Sequence, residues 1–231
     1  MNIYDNLNMD DCEISLIGID GKESVIEKIT ENRRRKCFGQ FYSTLKDQRF
    51  EKDDNLGDVK SMKSVYLYTE NFDKMLELHK GLMIYGDVGV GKSFAAACAA
   101  NAVIDKGYKC RMTDFSRIIN TLWGMTSGKQ EYIDELNSPD LLVIDDLGAE
   151  RDTEYSNEIV MNVINARCRT GKPLIVTTNI VPKEFSDIKK QRIYSRLYEM
   201  CIPINFKGQD RRQHIMAEDY MQLKNLLELP I

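Results

Sequence analysis

Five short strand-like runs, most of them apolar, punctuate the chain, and segments with helical spacing of apolar residues lie between them. A central strand of a parallel sheet is buried on both faces, so it is expected to be continuously hydrophobic. The five predicted strands are Leu82–Tyr85, Lys109–Thr113, Leu141–Ile144, Pro173–Thr177 and Cys201–Phe206. Pro203 lacks a backbone N–H, which favours an edge position for the last strand. Strands that alternate with helices predict an α/β fold with a five-stranded parallel sheet covered on both faces.

The intervening segments repeat apolar residues at spacings of three and four, which is typical of amphipathic helices. One such helix is predicted over Asp58–Leu78, where Gly81 supplies the stop after a basic last turn. The other predicted helices are Ser24–Asn32, Phe94–Lys106, Phe115–Met125, Tyr155–Thr170, Lys183–Met200 and Asp210–Glu228. Gln130–Asn137 is predicted to be a polar helix or a loop, and Cys37–Leu56 to be rich in loops.

The stretch after the first predicted strand carries the strongest chemical signal. The run LMIYGDVGVGKS leads into an alanine-rich helix, which is the pattern G-x-x-x-x-G-K-S in a strand–loop–helix context. Its glycines let backbone N–H groups converge on an anion, and the helix start adds its positive dipole end. Lys92 is expected to reach the β- and γ-phosphates, and the Ser93 hydroxyl to bind Mg²⁺. The alternative is a glycine-rich turn with a chance Lys-Ser pair. The residues predicted to bind the nucleotide here are Gly86, Asp87, Val88, Gly89, Val90, Gly91, Lys92, Ser93 and Phe94.

Two acids, Asp145 and Asp146, follow the third predicted strand in the run LLVIDDLGAE. Asp145 is predicted to hold Mg²⁺ together with Ser93, and Asp146 to orient or polarise an attacking water. Acids that only cap a strand or a helix are the alternative. The P-loop about 50 residues earlier favours the catalytic interpretation.

Polar residues also end the fourth predicted strand, as Thr177, Thr178 and Asn179. A polar side chain at the tip of a strand that lies between the P-loop strand and the acidic strand can hydrogen-bond the water or the γ-phosphate. Asn179 is the candidate for this role, and a turn-forming Asn is the alternative.

Two later runs each contain a candidate arginine for contact with the phosphates. Arg192 and Arg196 lie one helical turn apart in RIYSRL. An arginine that stabilises charge on the phosphoryl group can come from a neighbouring subunit, and Arg196 is the candidate. The alternative for Arg196 is a surface ion pair. In GQDRR, Arg211 or Arg212 is expected to fold back onto the nucleotide of the same chain.

Charge and composition limit the partners and the cellular compartment that the sequence predicts. The net charge of −4 argues against a chain that binds nucleic acid mainly through its overall charge. The run RRRK at 33–36 is predicted to be a solvated turn, with a phosphate or nucleic-acid contact as the alternative. No apolar run is long enough to cross a membrane, and the first residues lack a signal-peptide pattern. The six cysteines form no C-x-x-C pair, which predicts free thiols and a cytoplasmic protein.

Taken together, GLMIYGDVGVGKSF, LLVIDDLGAE and the series TTN, RIYSRL and GQDRR resemble the AAA+ ATPases of the bacterial helicase-loader type. This group includes the DnaC/DnaI-like and IstB-like proteins, and the resemblance covers residues 58–212. It implies a P-loop NTPase fold in the form of a three-layer αβα sandwich. It also implies that GDVGVGKS is Walker A and that Asp145 and Asp146 form Walker B. By the same resemblance Asn179 would be sensor 1, Arg196 the arginine finger and Arg212 sensor 2.

The resemblance divides the chain at residue 57. Residues 1–57 would be a short partner-binding or linker region, and residues 58–231 the AAA+ domain. Many relatives carry a cysteine-rich zinc or helicase-binding module at the N-terminus, whereas this region holds only Cys12 and Cys37. A zinc site is therefore not expected. The single helix predicted at the C-terminus implies a reduced lid.

The function implied is that of an ATP- and Mg²⁺-dependent helper that loads the replicative DNA helicase. Its ATP hydrolysis would be slow and stimulated by assembly or by DNA. Single-stranded DNA and further copies of the chain are the other expected partners. The alternatives are a transposition helper that works with a transposase, a P-loop small-molecule kinase, and a scaffold that binds nucleotide without hydrolysing it.

Overall fold

The computed structural model describes residues 19–53, 58–181 and 188–212, together with 216, 220, 223 and 224. Its helices are α1 Ile19–Phe38, α2 Val59–Glu70, α3 Phe72–Glu77, α4 Lys92–Asp105, α5 Phe115–Gly124, α6 Lys129–Asn137, α7 Glu154–Thr170 and α8 Ile188–Met200. Its strands are β1 Gly81–Gly86, β2 Cys110–Asp114, β3 Leu141–Leu147, β4 Leu174–Thr178 and β5 Cys201–Phe206. Two short 3-10 helices, Ser43–Leu45 and Phe50–Lys52, lie between α1 and α2.

The five strands form one parallel sheet in the order β2-β3-β4-β1-β5. Successive residues of β3 face opposite sides. Leu141 and Val143 pack in the core beneath α1, α2 and α4, whereas Leu142 and Ile144 pack beneath α5, α6, α7 and α8. The predicted α/β fold with helices on both faces is thus confirmed. So is the edge position of the last strand, because β5, which carries Pro203, pairs with β1 alone.

Two predicted elements differ from the structure in the region before β1. The single helix expected over Asp58–Leu78 is two helices, because Asn71 breaks it. The side-chain amide of Asn71 donates to the carbonyl of Leu67 at 2.8 Å, and such a local bond competes with the helical pattern. Gln130–Asn137, for which helix and loop were both open, is helical.

The basic run at 33–36 is not a turn. It forms the last helical turns of α1, which reaches Phe38 rather than ending near residue 32. Arg33 is buried and donates to the carbonyl of Gly107, and Arg34 pairs with Asp105. These two arginines therefore fasten α1 to the end of α4.

Several expectations fall wholly or mainly outside the described residues. They concern residues 1–18 and most of the helix predicted over Asp210–Glu228, and with it the reduced lid. The division of the chain at residue 57 also stays a prediction. Cys37, Cys98, Cys110, Cys168 and Cys201 are free, as predicted. No helix in the described ranges is both long and apolar enough to cross a membrane.

Candidate nucleotide-binding site

The P-loop connects β1 to α4 at the carboxyl edge of the sheet. Gly89 and Gly91 have φ angles of 82° and 95°, a left-handed conformation that residues with a side chain rarely adopt. A Cβ atom on Gly89 would collide with the carboxylate of Asp210. Gly91 is the N-cap of α4, so the loop turns directly into the helix. The curvature that an anion-binding loop needs comes from positions where only glycine fits.

The ammonium group of Lys92 lies inside this loop. The residue is 6% exposed, and its Nζ donates to the carbonyls of Gly86 at 2.9 Å and Asp87 at 2.5 Å. Burial lowers the pKa of Lys92, whereas the nearby carboxylates of Asp146 and Asp145 act in the opposite direction. The cation is therefore within the field of both acids that the sequence singles out.

Asp145 is buried at the end of β3 beside the start of α4. Its Oδ1 accepts a hydrogen bond from Oγ1 of Thr177 at 2.6 Å. Burial raises the pKa of Asp145, and the nearby hydroxyls of Thr177 and Ser93 act in the opposite direction. Ser93 and Asp145 thus bring together two oxygen ligands of the kind that Mg²⁺ prefers.

These two ligands fit the way Mg²⁺ is bound beside a nucleotide. Within residues 19–53, 58–181 and 188–212, no three His, Cys, Asp or Glu side chains are arranged to hold a metal by themselves. Mg²⁺ at phosphate sites usually keeps several waters and takes only one or two protein groups besides the phosphate oxygens. The donors present therefore suit a metal that arrives with a triphosphate.

A bulge separates the two acids. The register between β3 and β4 shifts between Ile144 and Leu147, where β3 carries one extra residue. Asp146 has a φ of 53°, and its N–H donates to Oγ1 of Thr177 at 2.9 Å. The side chain of Asp146 is exposed at the carboxyl edge, whereas that of Asp145 is buried. At this bulge the two neighbouring carboxylates therefore point in different directions, that of Asp145 towards Ser93 and that of Asp146 towards solvent.

Asn179 lies just beyond β4 and is exposed. Because β4 lies between β3 and β1, Asn179 is at the same edge of the sheet as the P-loop and the acids. Its role as sensor 1 stays a prediction.

The two adjacent arginines after β5 have different surroundings. Arg211 is largely buried against the P-loop, and its Nη2 lies 3.2 Å from Oδ1 of Asp53. Arg212 is exposed and close enough to Lys92 to lower the pKa of that amine. The role of Arg212 as the cis sensor stays a prediction.

Arg196 lies away from the P-loop of its own chain. It is exposed near the C-terminal end of α8, and its Nη1 lies 2.7 Å from Oε2 of Glu199. The carbonyl of Glu199 accepts a hydrogen bond from Lys80, just before β1, so this part of α8 is at the amino edge of the sheet. The surface ion pair considered for Arg196 is therefore present, and a role at a phosphate would require a neighbouring subunit.

A sequence profile of the IstB-like ATP binding proteins matches residues 31–214, most of the chain. The chain belongs to this family. Among relatives of this IstB-like protein, the replicative helicase loader DnaI of Bacillus subtilis is 26% identical over 148 residues, which is 58% of this chain and 48% of DnaI. An insertion-sequence ATP-binding protein of Mycobacterium tuberculosis is 30% identical over 114 residues, 48% of this chain and 45% of the relative. The alignments thus span about half the length of these two relatives.

The crystal structure of the DnaC helicase loader has the same fold as this IstB-like chain. The TM-score is 0.59 at 23% identity, and the alignment covers 71% of this chain and 99% of that structure. The three-layer αβα fold with a five-stranded parallel sheet, expected from the resemblance, is confirmed by this similarity and by the sheet itself. The P-loop and the two acids lie within the part of the chain that the family profile matches.

Two contacts of this IstB-like site have no signal in the sequence pattern. Thr177 is fully buried and joins the carboxylate of Asp145 to the amide of Asp146, a role that depends on the pairing of β3 with β4. Tyr42 comes from the segment after α1, and its hydroxyl donates to Oδ2 of Asp114 at 3.0 Å. Asp114 is the register partner of Asp145 on β2, so the segment before α2 reaches the acidic side of the site.

A second feature of the carboxyl edge is a cleft of about 620 Å³ between α5 and the segment after β3. Its wall includes Trp123, which is 74% exposed, and Tyr155, whose ring meets the Trp123 ring edge-on at 5.2 Å. Arg151 also lines the cleft, and Nζ of Lys129 lies 5.9 Å from the Tyr155 ring. An exposed aromatic ring and a half-buried one thus lie beside cations in one concave surface.

Proposed function

We propose that this IstB-like protein binds and hydrolyses Mg²⁺-ATP and uses the nucleotide state to help load a replicative helicase on DNA. The observation that carries the proposal is the buried ammonium of Lys92 inside the P-loop, with Ser93 next to it in the chain and the buried carboxylate of Asp145 near both. The relatives named DnaI and DnaC are replicative helicase loaders, which supports the helicase as partner.

The residues divide the chemistry between binding and hydrolysis. The P-loop amides and Lys92 bind the phosphates, while Ser93 and Asp145 hold Mg²⁺, which neutralises charge on the β- and γ-phosphates when bound. Asp146 orients the attacking water and accepts its proton. Thr177 fixes the positions of both acids, because its hydroxyl bonds to the carboxylate of Asp145 and to the backbone N–H of Asp146. Asn179 is placed to hydrogen-bond the same water or the γ-phosphate.

The proposed interaction with the helicase is tested by co-elution of the purified protein with the replicative helicase of the same organism, with and without Mg²⁺-ATP. We expect a complex whose yield changes with nucleotide.

The second candidate function is that of a transposition helper, which the insertion-sequence relative at 30% identity favours. A complex with the transposase of an insertion element, and none with the helicase, would assign the protein to that second role.

Assembly between subunits gives Arg196 its proposed role as an arginine finger. Replacing Arg196 by alanine should lower ATP turnover in the assembled state about a hundredfold, because one charge-stabilising donor is lost from the transition state. The affinity of the dilute monomer for ATP should not change, since Arg196 lies away from its own P-loop. Turnover measured against protein concentration checks this, with Arg192→Ala, one turn earlier, as the matched control. Full turnover by the assembled Arg196→Ala variant would rule out the finger.

Single-stranded DNA is proposed to bind in the cleft at Trp123 and Tyr155, because exposed aromatic rings stack on bases without sequence preference. Trp123→Ala should weaken binding of a labelled oligonucleotide about tenfold, as measured by fluorescence anisotropy. Tyr66→Ala removes an exposed aromatic ring on the opposite face of the sheet and serves as the control. Equal affinities for the two variants would exclude the cleft as the binding site.

A further inference from the structure

An ion pair fastens the segment before α2 to the segment after β5, across the P-loop. Nη2 of Arg211 lies 3.2 Å from Oδ1 of Asp53, and the side chains are only 13% and 10% exposed. Oδ1 is buried and accepts no aligned hydrogen bond within the described part of the chain, so the guanidinium is its charge partner. Neither residue belongs to the P-loop or to the acids of the site.

Further observations place Arg211 against the P-loop. Its backbone N–H donates to the carbonyl of Gly89 at 3.1 Å. Its Nη1 lies so close to Gly91 that a Cβ atom there would be 3.0 Å away, and its Cζ lies 5.1 Å from the centre of the Phe94 ring. The guanidinium therefore lies against the loop while it pairs with Asp53.

Asp53 is carried on a segment that is fastened to the P-loop helix. The side-chain amide of Asn101, a fully buried residue of α4, donates to the carbonyls of Gln48 at 2.9 Å and Leu45 at 3.3 Å. The same helix begins at the P-loop. The segment that carries Asp53 and the P-loop are thus both attached to α4. This common attachment fixes the position of Asp53 relative to the P-loop, and with it the position of Arg211.

Because Arg211 and Arg212 are consecutive, a fixed position for Arg211 also restricts the position of Arg212. The backbone N–H of Arg212 donates to Oδ1 of Asp210, and the carboxylate of Asp210 packs against Gly89. We propose that Asp53 is a positioning residue of the nucleotide site: by holding Arg211 on the P-loop, it fixes the backbone from which the side chain of Arg212 extends. The inference rests on the proposed function, because it needs ATP at the P-loop. It adds a residue of the segment before α2 to the set that determines ATP affinity.

The test is a double-mutant cycle on ATP affinity, measured by titration of the full chain with a fluorescent ATP analogue and Mg²⁺. Asp53→Asn keeps the size of the side chain and removes its charge, and we expect about tenfold weaker binding. Arg212→Ala should weaken binding by at least as much. If Asp53 acts through Arg212, the double variant binds no more weakly than Arg212→Ala alone.

The controls separate positioning from general destabilisation. Asp47→Asn removes an exposed acid from the same segment and should leave the affinity unchanged. Asp53→Glu restores the carboxylate and should recover most of the affinity, which a merely structural defect would not predict. If Asp53→Asn does not fold, Arg211→Lys takes its place in the cycle, because it keeps the cation and loses the planar fork.

Additive losses in the cycle, or an unchanged affinity in Asp53→Asn, would overturn the positioning role while the parent chain still bound ATP. A parent chain without affinity for Mg²⁺-ATP would contradict the proposed function itself. The two failures are therefore distinguishable in a single data set.

Discussion

Replacing Lys92 by alanine should reduce the affinity for Mg²⁺-ATP by about a hundredfold or more and abolish measurable hydrolysis. Charge-assisted hydrogen bonds from an ammonium to phosphate oxygens are among the strongest polar contacts, and Lys92 is the cation held inside the P-loop. The fold should persist, because burial lowers the pKa of this amine and its removal relieves a desolvation cost. Titration with a fluorescent ATP analogue gives the affinity, and thermal unfolding without nucleotide checks the fold.

A second variant separates binding from chemistry at the same site. Asp146→Asn should bind Mg²⁺-ATP nearly as well as the parent, because Asp145 and Ser93 keep the predicted metal ligands. Its hydrolysis should fall about a hundredfold, since the amide cannot accept the proton of the attacking water. Undiminished ATP binding by Lys92→Ala would show that this loop is not the phosphate site.

Replacing Arg167 by methionine should lower the free energy of unfolding by about 4 kcal/mol, since it leaves several buried carbonyls without a donor. Arg167 is fully buried in α7, and burial lowers its pKa to about 10. Its guanidinium donates at 2.5–3.1 Å to the carbonyls of Asn137, Pro139, Asp140 and Pro173. These carbonyls belong to the connections that precede β3 and β4, so one side chain holds both strands at their amino ends.

Urea denaturation measures this change, and Arg169→Met is the matched control. Arg169 lies two residues later on the exposed side of α7, where a substitution should change stability by less than about 0.5 kcal/mol. Equal midpoints for Arg167→Met and the parent would show that the buried guanidinium is not a main support of the sheet. ATP affinity should survive in the folded fraction, because Arg167 lies at the edge opposite the P-loop.

The sheet was predictable because most of its strands are short, apolar and followed by a glycine or a polar turn. Pro203 identified the edge strand from one missing N–H. The helices before β1 were less predictable, because a side-chain bond from Asn71 to Leu67 breaks a segment whose apolar spacing continues unbroken. Arg33 and Arg34 were misinterpreted because their partners, Gly107 and Asp105, are distant in sequence.

In the candidate site, too, some residues could be predicted from local sequence patterns and others could not. The P-loop and the acids follow from local pattern, because each motif must be contiguous to place its groups. Thr177 gains its role only when β3 and β4 pair with a bulge. Asp53 and Arg211 meet only once the chain has folded around α4, and Asp53 lies in no recognisable motif. Contacts between distant segments are what local spacing cannot predict.

The proposed function depends on Mg²⁺-ATP binding between the P-loop and the acids at the end of β3. An equilibrium titration of the purified chain with ATP, in Mg²⁺ and again in excess EDTA, measures this binding, with Asp145→Asn as the comparison variant. We expect saturable binding that weakens sharply when the metal is removed, and a much smaller metal effect in Asp145→Asn. Binding of equal strength with and without metal, or none at all in the parent chain, would contradict it.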